Sequence, residues 1–281
     1  MYYSFVATAI VAFTIAFTPI ASAADWSGWY AGVNAGGIQD DHAVKSTASN
    51  NRFCAPPSCG FGQETAQASV QGATGKFSLK TDGFTGNAQI GYNWLFANNW
   101  IAGFEADIDG NADTNASQTG SSVNAVSGFA GHGVSTNLSV TKKINFLGTL
   151  RGRLGYRVTP KFFIFGTGGL AYAHVKSKSN ITQSLVGVFG GVATNFAAVS
   201  SSSRILPGWT TGGGFEWMFA KNWTAKAEYL YYDLGELSYD SQLADPITVV
   251  APPTPFYFVN DVNTRTSFKG DILQVGLVYH F

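Results

Sequence analysis

The sequence predicts an all-β fold: an eight-stranded antiparallel transmembrane β-barrel with short periplasmic turns and four long extracellular loops. Three observations carry that expectation. The last eleven residues, Asp271 to Phe281, alternate with a period of two, and Leu273, Val275, Leu277, Tyr279 and Phe281 form one continuous apolar face. A strand of about ten residues with one apolar face ending in aromatics has the pattern of a membrane-crossing β-strand. A hairpin whose tight turn is bracketed by aromatics recurs three times. Nearly every mid-strand charge falls on the face opposite the apolar one.

Composition agrees. Of 281 residues, 12% are charged and 15% aromatic, with 33 glycines; soluble domains carry roughly 25% charged residues. Helical membrane spans need about 20 apolar residues. The only long unbroken apolar run is N-terminal, so a closed barrel is the remaining way to satisfy backbone hydrogen bonds in lipid. Net charge is zero and no basic block stands out, which points away from nucleic acid. Residues 1–23 have the form of a secretory signal, with an apolar core from Phe5 to Ile20 and a small-residue cleavage site at Ala21-Ser22-Ala23. The barrel domain would then span 24–281. Residues 1–20 lack the usual Lys or Arg of such a signal.

The first strand is Trp26 to Ile38, with Trp29, Ala31, Val33 and Ala35 toward lipid and Tyr30, Gly32, Asn34 and Gly36 inward. Trp26 and Trp29 are expected at the membrane interface, where amphipathic rings are favoured. The polar stretch after Asp40 contains the only cysteines, Cys54 and Cys59. In an oxidising compartment they are expected to form a small-loop disulfide. No histidine lies nearer than His42, which disfavours a metal site.

Three hairpins follow: Phe84–Phe96 with Trp100–Ile108, Ile144–Val158 with Phe162–Val175, and Ile205–Phe219 with Trp223–Leu234. Their turns are Ala97-Asn98-Asn99, Thr159-Pro160-Lys161 and Ala220-Lys221-Asn222, ringed by the interface aromatics Trp94, Phe96, Trp100, Trp217, Phe219 and Trp223. With the first and last strands they make eight, which puts both chain ends on the periplasmic side. The connections at the other end, 39–81, 110–143, 177–203 and 236–267, are long and rich in Ser, Thr, Asn and Gly. They are expected as extracellular loops, the first of them irregular. A further hairpin above the membrane, from 184–200 or 247–260, would make ten strands.

Alternation sends Glu105, Asp107, Thr149, Arg151, Arg153, Arg157, Glu216, Lys226 and Glu228 inward. An Arg facing lipid at mid-membrane costs about 2–4 kcal/mol, whereas an inward one can meet a carboxylate. A lipocalin-like soluble barrel would reverse the pattern. The strand Phe162–Val175 cannot be assigned a face, because glycines blur it. Two readings of the charge set stand: a salt-bridge plug, since eight strands leave a lumen that side chains fill, or the lining of a narrow ion path. No nucleophile or histidine is tied to these carboxylates by spacing, so no catalytic residue, metal ligand or cofactor site is assigned. His174, with Ser177 and Ser179 nearby, is the one arrangement that a lipid hydrolase could use.

With these residues in place, the chain resembles the alphaproteobacterial outer-membrane β-barrel family of porin-like surface antigens, the outer membrane immunogenic proteins, themselves similar to the OmpA-type transmembrane barrel. The matching stretches include Trp26-Ser-Gly-Trp-Tyr-Ala-Gly-Val-Asn-Ala-Gly36, Gly148-Thr-Leu-Arg-Gly-Arg-Leu-Gly-Tyr156, Gly208-Trp-Thr-Thr-Gly-Gly-Gly-Phe-Glu216, Ala225-Lys-Ala-Glu-Tyr-Leu-Tyr231 and the terminal strand. The resemblance implies an outer-membrane location and surface-exposed loops, and no agreed chemistry. The expected role is a structural barrel supporting the envelope; the alternatives are a narrow channel for ions or small solutes, or a surface ligand-binding or adhesion protein. Expected partners are outer-membrane lipid and lipopolysaccharide, the barrel-assembly machinery, for which Tyr279 and Phe281 would be the signal, and a host or small-molecule ligand at the loops.

Overall fold

The computed structural model describes residues 26–53, 60–97, 99–112, 116–187, 195–244, 248–249, 255–256 and 258–281. The expected signal segment and the expected Cys54–Cys59 disulfide lie outside the described residues. The elements are β1 (Gly28–Phe53), α1 (Gly60–Ala73), β2 (Gly75–Phe96), β3 (Trp100–Ala112), β4 (Ala116–Ala125), β5 (Gly133–Thr159), β6 (Phe162–Val186), β7 (Asn195–Ala220), β8 (Trp223–Ala244), β9 (Thr248–Val249), β10 (Pro255–Phe256) and β11 (Phe258–His280).

The strands close on themselves. Antiparallel neighbours run β3-β2-β1-β11-β8-β7-β6-β5, and β5 returns to β3. The ring is completed by Trp100↔Tyr156 through Gly110↔Phe146. First and last strands pair from Tyr30↔His280 upward. β4 continues the line of β3 along β5, from Ala116↔Lys142 to Ala125↔Gly133, so the ring has eight strands. Alternation sets the faces as expected. Leu273, Val275 and Leu277 are exposed to the surroundings, while Ile272, Gln274 and Val278 are buried inside. The six interface aromatics, Trp94, Phe96, Trp100, Trp217, Phe219 and Trp223, all point outward around the hairpin turns.

β6, the strand with no assignable face, alternates as cleanly as the rest. Phe163, Phe165, Thr167, Ala171, Ala173 and Val175 point inward, and Ile164, Leu170 and Tyr172 outward. The sequence hid this because apolar side chains occupy both faces. Trp26 corrects the expectation of an interface residue. Only Trp29 is outward; Trp26 is wholly buried at the periplasmic floor, 5.5 Å from the Phe163 ring, and its Nε1 donates to Pro160 O at 3.0 Å. With Ile101, Phe165 and Met218 it forms an apolar layer.

The long connections are mostly strand. About 9–11 residues cross a membrane, yet β5 has 27 and β1 has 26. The stretch after Asp40, expected to be irregular, continues β1 and then forms α1. These upper segments alternate Ser and Thr with Val, Ile and Leu, a pattern that suits pleated, half-buried surfaces. Among the described residues they no longer pair around a full ring: the β7–β8 ladder reaches up to Trp209↔Asp233 and the β2–β3 ladder to Phe84↔Ala112. Above these seams, β2-β1-β11-β8 and β7-β6-β5-β4 face each other as separate sheets. β8 leaves β7 beside a bulge, where Leu234 and Gly235 lie opposite Phe268. Gly235 has φ +73°, a conformation that favours glycine.

α1 fills the space between the two sheets. Ala66, Ala68 and Ala73 pack with Val44 and Val262 on one side and Val134, Leu138, Ile181 and Phe196 on the other. Ser69 pins the helix to both. Its hydroxyl donates to Gln183 Oε1 at 2.5 Å on β6 and accepts from Asn260 Nδ2 at 2.8 Å on β11.

Two outcomes are expected. The folded barrel, having no free edge in its ring, migrates differently on SDS gels before and after boiling; equal mobility would contradict the closure. Replacing Ser69 with Ala strips two buried amides of a partner, at a cost of about 1–3 kcal/mol. Proteolysis near α1 should then accelerate while the heat-dependent gel shift persists.

Candidate functional site

The ring places one polar cluster at mid-height in its lumen. Arg151 and Arg153 come from β5, Glu105 and Asp107 from β3, Glu216 from β7, and Lys226 and Glu228 from β8. All seven are at most 6% exposed. Arg151 binds Glu105 Oε1 and Asp107 Oδ2 at 2.5 Å each, and Glu228 Oε1 at 2.8 Å. Arg153 binds Glu216 Oε1 at 2.6 Å and Glu105 Oε2 at 3.3 Å. Lys226 Nζ lies 2.8 Å from Glu105 Oε1 and 3.1 Å from Glu228 Oε2. Glu105 is therefore shared by all three cations.

The remaining strands hold this cluster in place. The Tyr30 hydroxyl donates to Glu105 Oε2 at 2.9 Å and accepts from Arg153 at 2.8 Å. Gln89 Oε1 accepts from Lys226 at 2.9 Å, and Gln274 donates to Glu228 at 2.8 Å. Phe165 supplies a ring face 4.1 Å from the Arg153 guanidinium carbon and 5.5 Å from Lys226 Nζ. Cations in this geometry are attracted by the ring quadrupole. Glycines give the large side chains room: a Cβ on Gly91 would strike the Tyr30 phenol, and one on Gly276 would strike the Asn34 amide.

The structure thus brings together all seven expected lumen residues. Arg157, also expected inward, is only half-buried. A register shift between Arg157 and Thr159 leaves it at the periplasmic rim, where its guanidinium reaches Asn99 Oδ1 at 3.2 Å. Several members were not picked out from sequence. Asp109 is buried and bonded to Thr85 and Asn87 at 3.1 and 3.0 Å; its place two residues after Asp107 was signal enough. Tyr30 was placed inward by alternation but not tied to the charges, and Gln89 and Gln274, being neutral, were not singled out. Phe163 and Phe165 look like lipid-facing residues until the partner cations are placed.

The lumen charges lie between apolar layers. Below are Trp26, Ile101, Phe163 and Met218. Above are Ile38, Ile144, Leu147, Val175, Leu230, Phe268 and Ile272. His174 is on the outer face of β6, with Nδ1 2.5 Å from Asn145 Nδ2 and Nε2 3.0 Å from Ser203 Oγ. Ser177 and Ser179 point to the opposite, buried face, and Ser177 bonds Tyr239 at 2.9 Å. The terminal aromatics stack edge to face, Tyr279 against Phe281 at 5.2 Å and against Trp223 at 5.1 Å.

The family model for an outer membrane protein beta-barrel domain matches residues 5–281. A 31 kDa outer-membrane immunogenic protein of Brucella melitensis is 35% identical over 211 residues, 75% of this chain and 72% of that protein. A 22 kDa outer membrane protein of Rhizobium leguminosarum is 30% identical over 160 residues, 57% of each. Among solved structures, the outer membrane protease OmpT of Escherichia coli aligns with a TM-score of 0.40 at 10% identity, over 96% of this chain and 99% of that one. A likeness at that level carries no inference about chemistry.

Replacing Glu105 with Gln removes the charge shared by three buried cations. Breaking a buried ion pair by removing one partner costs about 3–5 kcal/mol. The urea midpoint of the refolded barrel should fall accordingly, and an unchanged midpoint would show that the cluster does not hold the strands together.

Proposed function

The chain belongs to the outer-membrane β-barrel protein family and resides in the bacterial outer membrane, and on that premise we propose that it is a sealed, non-catalytic barrel that supports the envelope and presents its long outer segments at the surface. The observation that carries this reading is the layering of the lumen. An ion entering from the periplasm meets the Trp26 and Phe163 floor. Next come three cations already bound to carboxylates, then the Ile38 and Phe268 layer, and then α1 between the upper sheets. Removing an ion from water without a replacement partner is expensive, so two apolar layers in series favour a plug over an ion path.

The absence of catalysis is part of the same proposal. Ser177 and Ser179 lie across the sheet from His174. Both ring nitrogens of His174 already lie within hydrogen-bond distance of other partners, Asn145 and Ser203. The terminal pair Tyr279 and Phe281 stays, within this proposal, the signal for the assembly machinery. A host or small-molecule ligand, if one is captured, meets the upper sheets and their tips, since the lumen is filled.

Single-channel recording on the refolded mature protein in a planar bilayer tests the reading. A silent bilayer containing heat-modifiable, folded barrel is expected. Reproducible steps that change when Arg151 or Glu105 is neutralised would establish the channel instead.

A further inference from the structure

We propose that Asp107 and Asp109, successive inward residues of β3, hold a divalent cation of the calcium class between their carboxylates inside the lumen. A charge imbalance leads there. Below the upper apolar layer, five buried carboxylates, Glu105, Asp107, Asp109, Glu216 and Glu228, share the ring with three buried cations, Arg151, Arg153 and Lys226. Among the described residues, four of these carboxylates take part in ion pairs and Asp109 in none. Arg151 already meets Glu105, Asp107 and Glu228. His280 lies at the periplasmic end, 3.7 Å from Glu216, so charging it would leave the surplus at β3 in place. An ionised carboxylate taken from water without a compensating charge is very costly.

Both aspartates are also incompletely bonded. Thr149 and Arg151 reach Asp107 Oδ2 at 2.8 and 2.5 Å, while Asp107 Oδ1 is buried with no hydrogen-bond partner. Thr85 and Asn87 meet Asp109 Oδ1 at 3.1 and 3.0 Å, and neither reaches Oδ2. Asn87 donates its amide N–H there, its own Oδ1 being taken by Asn34 at 2.6 Å. Donors of this kind favour the ionised carboxyl. Residues two apart on a strand face the same way, with Cα atoms about 6.6 Å apart. Calcium–oxygen bonds of about 2.4 Å let one ion bridge carboxylates at that spacing. The neutral groups against the pair are the hydroxyls of Thr85 and Thr149 and the Asn87 amide. Oxygen donors take hard cations rather than zinc or copper, and a surplus of two negative charges matches a divalent one. Asp109 stands opposite Leu147 of the upper apolar layer, which closes the site on its outer side. Magnesium sheds water reluctantly, whereas calcium accepts about six to eight oxygens in flexible geometry, so a closed site favours calcium. The same closure means that the ion enters as the ring forms.

The test refolds the mature protein from urea and chelator into uncharged detergent, free of lipid phosphate. Calcium, magnesium or sodium chloride is present at matched ionic strength. After desalting, bound metal is measured by elemental mass spectrometry and the urea midpoint is recorded. Wild-type protein refolded with calcium should retain it one to one and show a raised midpoint, as a ligand of the native state must produce. Asp109→Asn should retain at least tenfold less calcium and lose the calcium-dependent rise. Without calcium, Asp109→Asn should be more stable than wild type, because it carries no uncompensated charge. Asp82→Asn, at an exposed position on β2, should retain calcium as wild type does. Heat-dependent gel mobility reports that each variant is folded. Wild-type protein that retains no calcium, with a midpoint indifferent to it, would overturn the proposal and leave Asp109 a neutral acid. Equal retention by Asp109→Asn and wild type would overturn it by placing the calcium elsewhere. Equal stabilisation by sodium would overturn the assignment to a divalent ion.

Discussion

Glu105 draws the barrel together. Its carboxylate meets Arg151, Arg153 and Lys226 and accepts from Tyr30. Through those partners and their neighbours the network reaches β1, β2, β3, β5, β6, β7, β8 and β11, which is every strand of the ring. A barrel in lipid gains little from burying its apolar outer surface during strand association, because lipid is as apolar as the side chains. The cohesive contacts must come from the backbone ladder and from within. Here the inner contacts are charge-assisted hydrogen bonds, shorter and stronger than neutral ones. Their desolvation is offset because each cation touches at least two carboxylates. Aromatic faces from β6 and glycines on the neighbouring strands complete the fit around them.

Much of this was legible in the sequence, because two simple rules act together. A strand has a period of two, and charge avoids lipid. Where both rules spoke, as in β3, β5 and β8, the faces of Glu105, Arg151 and Lys226 followed directly. Where an inner residue is apolar, the rules fall silent. Phe163 and Phe165 are inside because a guanidinium needs a ring face there, a condition that depends on strands far away in sequence. Trp26 was misplaced for the same reason: an indole suits both an interface and a closed floor, and only the position of Pro160 decides.

The upper half was harder to foresee. Ser- and Thr-rich alternation looks like loop by composition and like strand by periodicity, and periodicity governs. The sheets gain stability there from an element that no local pattern reveals. α1 has a small-residue surface of Ala66, Ala68 and Ala73 that makes sense only between two apolar walls. Ser69, unremarkable in sequence, becomes the junction between Gln183 and Asn260.

The two seams have an evolutionary consequence. Below Trp209↔Asp233 and Phe84↔Ala112 each strand is held by neighbours on both sides, and a shift in one ladder must be matched around the whole ring. Above them, β4, β7, β8 and the upper end of β2 have one neighbour each in the ladder. Insertions, deletions and substitutions at those outer edges leave the tilt and stagger of the membrane ring untouched. The molecule is thus divided into a part that must be inherited nearly unchanged and a part free to diverge. For a barrel in the outer membrane, that division lets the upper edges change in length and sequence without disturbing the ring that crosses the membrane.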